Sequence, residues 1–124
     1  QLVRTTARVY HALPADDQAR TVIIGTNYGR AGAVDLLGPP LGLPAAVSPA
    51  GSYWFFGPGP RAGDVTILVG GDSSEVAPFF RQVILADSTQ NPMGVPEEQH
   101  VPIYVARGPL HPLQEVWPRL AGRN

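Results

Sequence analysis

The chain has 124 residues, enough for one domain around one core. Charged residues make up 15% and the net charge is -1, which argues against nucleic acid, a partner that needs a basic face. There is no cysteine, so a disulfide frame, a thiolate nucleophile and a cysteine metal site are excluded.

Leu2 to Leu13 carries apolar residues at helical spacing, with Arg4 and Arg8 on one face, and Pro14 ends it. Asp16 to Arg20 reads as a polar link. Val22 to Thr26 follows as a strand apolar on both faces, as a central parallel strand is. Gly29 to Leu37 reads as a helix stopped by Gly38-Pro39-Pro40. Leu43 to Ser48 is a short second strand, and Val65 to Val69 a clean buried one. Gly70-Gly71-Asp72 is the turn after it, and Ser74 can cap a helix carrying Val76, Phe79 and Phe80.

Gln82 to Ser88 fits helix or strand by spacing. The β-rich run Val83-Ile84-Leu85, ending in Asp87-Ser88, favours a strand. Thr89 to His100 is a polar loop, Val101 to Ala106 a last strand, and Pro112 to Leu120 a final short helix. Fourteen glycines and fourteen prolines keep the elements short. No internal repeat is present. The alternation implies an α/β fold: three layers, a mostly parallel central sheet with helices on both faces, and an antiparallel edge formed by the last two strands. The parallel part is expected from Val22–Thr26, Ala45–Ser48 and Val65–Val69.

The turn after the first strand, Thr26 to Asp35, is the richest segment. A strand that passes through a glycine-bearing turn into a helix presents free backbone N–H groups at a sheet edge, where α/β proteins bind ligands. Gly25, Gly29 and Gly32 do not make a dinucleotide fingerprint, and no lysine follows to make a phosphate loop. Two readings remain: glycines serving backbone geometry alone, or a polar group such as a sugar hydroxyl or phosphate held by Asn27, Tyr28 and the helix N-terminus. Asp35, inside an apolar helix, either faces water or hydrogen-bonds into the turn region. Tyr53-Trp54-Phe55-Phe56 is read mainly as core, with an exposed ring for sugar stacking or a membrane interface as the alternative. His11, His100 and His111 read as surface residues without metal-ligand spacing. Ser52 lacks the second glycine of a nucleophile elbow. All nine cations are arginine, which reflects coding bias or, on the sharper reading, anion clamps. No cofactor and no metal is expected, and the chain on its own is expected to be non-catalytic.

Several motifs stand in a fixed order. Asn27-Tyr28-Gly29-x-Ala31-Gly32-Ala33-x-Asp35 is followed by Gly42-Leu43-Pro44, Ser48, Ser52-Tyr53-Trp54 and Gly57-Pro58. Ile103 to Pro109 and Pro112-Leu113-x-x-x-Trp117-Pro118-x-Leu120 come near the end. From about Thr21 to Leu120 this order resembles the C-terminal soluble domain of bacterial polytopic glycosyltransferases, the superfamily of dolichyl-phosphate-mannose protein mannosyltransferases and of the lipid A aminoarabinose transferase. The resemblance implies that residues 1–124 are a single soluble C-terminal domain of a larger membrane protein, on the extracytoplasmic face after the last membrane helix. The start at Gln1, without an initiator Met, fits that expectation. The parent would take a sugar from a polyprenyl-phosphate carrier, with its catalytic acid in the membrane part. The partners implied are that transmembrane part and a saccharide or lipid-linked acceptor. Where many relatives carry an acid this chain has Arg30, so no acidic role is carried over. Asn27, Tyr28, Ser52 and Tyr53 are expected to line one shallow cleft, with Arg107 as a neighbour. The resemblance makes this an accessory domain expected to bind or orient acceptor or to pack on the membrane part; the alternatives are a purely structural domain and a free-standing α/β small-molecule binding module.

Overall fold

Two five-residue strands, β1 (Thr21–Gly25) and β3 (Val65–Val69), are buried at every position and run side by side in parallel from Thr21↔Val65 to Gly25↔Val69. β-Branched and leucine side chains on both faces suit a strand covered on both sides. The computed structural model describes residues 2–26, 28–49, 57–71, 77–89 and 100–120. Around the two central strands it places α1 (Leu2–Ala12), α2 (Ala15–Arg20), α3 (Tyr28–Leu37), β2 (Ala46–Val47), β4 (Phe80–Ser88), β5 (Pro102–Pro109) and α4 (Leu113–Leu120). The sheet has five strands in the order β2-β1-β3-β5-β4.

The sheet is mixed. β2, β1 and β3 are mutually parallel, whereas β5 is antiparallel to both β3 and β4. Parallel character is thus confined to half of it. β5 inserts between β3 and β4 and extends the antiparallel region beyond an edge. Gln82 to Ser88 is strand, part of the nine-residue β4. A bulge between Leu85 and Asp87 interrupts its pairing with β5.

Alternation of side chains sorts the core into two clusters. Ile23, Val65, Ile67, Val69, Ile103 and Val105 pack with Val3, Ala7 and Val9 of α1 and with Ala31 and Val34 of α3. Val22, Ile24, Leu68 and Ala106 pack with Leu113, Val116 and Trp117 of α4. Arg4 and Arg8 point outward from α1, as their spacing requires. Among the described residues no helix is long and apolar enough to cross a membrane.

Asp16 to Arg20, read from sequence as a link, is helical. Pro14 precedes the first turn, Asp16 and Asp17 lie at its positive end and Arg20 at its negative end. The Thr21 hydroxyl donates to the Asp17 carbonyl at 2.7 Å and closes the helix onto β1.

Candidate functional site

The chain leaves β1 for β2 on one side and has β3 on the other, so β1 and β3 flank the point where the strand order reverses. In open α/β sheets the crevice outside the carboxyl ends of such strands is the place for a ligand. Here that edge is built by Thr26, Gly70, Gly71 and Arg30. Thr26 donates twice to the Val69 carbonyl, from its N–H at 3.2 Å and its hydroxyl at 2.9 Å. Its hydroxyl oxygen accepts from Arg30 Nη1 at 3.1 Å. Gly70 N–H donates to the Pro102 carbonyl at 2.8 Å. The ends of β1, β3 and β5 are thereby tied together.

Gly70 has φ 87°, and a Cβ there would stand 2.7 Å from Arg30 Nη1 and 2.8 Å from its Cζ. The guanidinium lies across the bare α-carbon, and the backbone angle is one that glycine adopts without strain. Arg30 belongs to the first turn of α3, the positive end of the helix dipole. A cation is disfavoured there by itself, and an anion shared with the helix N-terminus offsets that repulsion.

The expected site residues fare unequally. Asn27, Ser52 and Tyr53 lie outside the described residues, as do Trp54, Phe55 and Phe56. Tyr28 opens α3 at the carboxyl edge of β1, and its side chain is likewise outside the description. Arg107 is at the opposite edge. It pairs in register with Val65, the first residue of β3. Its Nη1 donates to Asp17 Oδ2 at 2.8 Å. The structure does not bring Arg107 to the turn after β1. Asp35 Oδ1 accepts from the Ala46 N–H at 2.7 Å and anchors β2.

Asp17 is the centre of an ionic group at the amino edge. Its Oδ1 accepts from Arg20 Nη2 at 2.8 Å, and Arg20 Nη1 is also 3.7 Å from Asp64 Oδ2. Arg61 Nη1 donates to the Thr21 carbonyl at 2.8 Å beside it. The Arg107 hydrogen bond, foremost, holds the Asp17 carboxyl below its ordinary 3.8, assisted by Arg20 and opposed by desolvation. The folded pKa lies below the unfolded one. The stabilisation is therefore complete above about 3.8 and is lost as pH falls through the lower folded value. Melting temperature followed into that acid range is expected to fall more steeply for the natural chain than for Arg107→Gln. Identical acid slopes would refute the coupling.

The histidines are exposed. His11 Nε2 lies 2.7 Å from the Leu41 carbonyl, and His111 Nδ1 lies 3.4 Å from Glu115 Oε2. Among the described residues no group of three or more His, Asp or Glu side chains could hold a metal ion. No family model, no curated protein and no solved structure matches the chain. Function therefore rests on the residues themselves.

Proposed function

We propose that this chain is the extracytoplasmic accessory domain of a polytopic membrane glycosyltransferase that uses a polyprenyl-phosphate-linked sugar donor. Its role is to hold or orient a polar acceptor, a saccharide or a lipid-linked group, at the carboxyl edge of β1 and β3. The transfer chemistry belongs to the transmembrane part of the same protein. The domain is a three-layer unit in this reading, α1 and α3 on one face and α4 on the other, consistent with the two core clusters.

The order of motifs from Thr21 to Leu120 supports the family reading. The observation that carries the binding role is the strand-order reversal between β1 and β3, with the Arg30 guanidinium and the first turn of α3 at its mouth. A guanidinium and helix N–H groups recognise phosphate or carboxylate oxygens, and a neighbouring Tyr or Asn recognises sugar hydroxyls. A structural role is the second reading. It is favoured by Arg107 and Asp35, both of which hold secondary structure in place.

The full-length enzyme separates the two. Asn27→Ala and Tyr53→Ala are each expected to lower kcat/KM by about fivefold, one good contact of roughly 1 kcal/mol, with the melting temperature unchanged. A fall in melting temperature that accounts for the whole loss of transfer would leave the structural role alone.

A further inference from the structure

The end of α3 exposes leucine where a soluble helix carries polar groups. Leu36 is 78% exposed, Leu37 56% and Leu41 37%, and Pro39 and Pro40 between them are also exposed. Leu36 and Leu37 close α3, and Pro39–Leu41 forms a single 3-10 turn directly after it. Gly38, buried between the Val34 carbonyl and Leu43, separates the two leucines of α3 from Leu41, and all three lie within six residues of sequence.

Charge is sparse in the segment that forms this shoulder, with His11 of α1 at its margin against the Leu41 carbonyl. Across residues 31–60 the sole ionisable carboxylate or cation is Asp35, which accepts a hydrogen bond from the Ala46 backbone. A surface without charges gives up no ionic hydration when it is covered. Its complement is equally uncharged and apolar.

Area decides between the possible covers. Three leucines and two prolines present on the order of 400 Å², within the range of a single surface patch and about half of the ~800 Å² per partner that a stable dimer buries. A second copy of this chain is therefore a poor fit. A lipid interface needs no matching shape, and each leucine enters it independently.

We propose that the Leu36–Leu37–Leu41 shoulder docks the domain on the surface of a lipid bilayer, entering the boundary between headgroups and acyl chains. The contact is apolar rather than electrostatic, so it does not depend on anionic lipid. This goes beyond the acceptor site and is independent of it: the shoulder lies at the far end of α3 from Arg30.

The test is flotation of the purified chain with vesicles of neutral phosphatidylcholine, at low and at high salt. Expected is co-flotation that persists at high salt. The double variant Leu36→Ser/Leu37→Ser is expected to bind on the order of tenfold more weakly or worse, with its melting temperature unchanged, because both side chains are exposed. Ile84→Ser/Leu85→Ser on β4, which removes the other pair of exposed apolar side chains in one element, is expected to float like the natural chain. The proposal is overturned by failure of the natural chain to float, by loss of binding at high salt, or by equal binding of the Leu36/Leu37 variant. It is overturned equally by sedimentation showing a dimer that this variant abolishes. None of these results depends on transfer activity, so the acceptor reading stands or falls separately.

Discussion

Gly25→Ala is expected to cost about 3 kcal/mol, the upper end of ordinary overpacking, and to lower the melting temperature by roughly 10–15 °C. The reason lies in how β1 meets α3. A Cβ on Gly25 would overlap the Ala31 nitrogen and stand 2.7 Å from its Cα and 2.8 Å from its Cβ. These are backbone atoms or atoms fixed to backbone, in a residue with no exposed surface, so no rotamer change relieves the clash. α3 has to move off the sheet. That movement would strain the Thr26–Val69 and Arg30–Thr26 hydrogen bonds and pull Val34 from the core. Ala31→Gly in the same chain removes one of the three obstacles and is expected to restore only part of the loss. Calorimetry on the natural chain and the two variants decides it. A Gly25→Ala protein that melts with the natural chain would show that α3 does not rest on β1 at this distance.

How much of this was legible in the sequence depends on the source of each signal. β3 was readable to the residue, because Val65 to Val69 is an unbroken β-rich run between a glycine-rich stretch and two glycines. β1 starts and ends one residue before the expected strand. α2 was missed because Ala15 to Arg20 has no apolar period. The signals present were the Pro14 start, acids in the first turn and Arg20 in the last, and those were outweighed by polarity. Strand order is a different matter. Nothing local in Pro102 to Pro109 states that it inserts between β3 and β4. The parallel half of the sheet followed from helix crossovers and the antiparallel pairing of β4 with β5 from the polar loop between them, but the pairing of β5 with β3 had no local signal.

The candidate site was partly legible for the same reason. A strand, a glycine turn and a helix in succession locate the carboxyl edge of β1 without any tertiary knowledge. Arg107 was misplaced although a signal existed. If the last strands are antiparallel, the late residues of β5 belong to the amino edge of β3, where Arg107 meets Val65. Arg30 and Thr26 were in the singled-out segment, but their joint role needs the end of β3 beside them. That proximity joins residues 43 apart in sequence.

Trp117→Ala is expected to cost about 3–5 kcal/mol, as large aromatic truncations in cores do. α4 has eight residues, too few for a helix to persist in water by its own hydrogen bonds. Pro118 lies inside it and lacks a backbone donor, which weakens it further. What keeps it folded is burial of Leu113, Val116 and Trp117 against Val22, Ile24, Leu68 and Ala106. Trp117 is the largest of the three and only 5% exposed, so its loss removes the largest single share of the area that pays for the helix. Gln114 Nε2, which donates to the Gly59 and Arg61 carbonyls at 2.8 and 2.7 Å, would lose its footing as well. The expected outcome has a spatial signature. Hydrogen exchange should rise through α4 and at the 59–61 loop, while α1 and α3, which pack in the other cluster, keep their protection well below the global transition. Trp117→Phe, which retains most of the apolar area, should recover the larger part of the stability. Uniform loss of protection across both clusters would mean that they do not open separately. An unchanged melting temperature would mean that α4 is not held by this side chain.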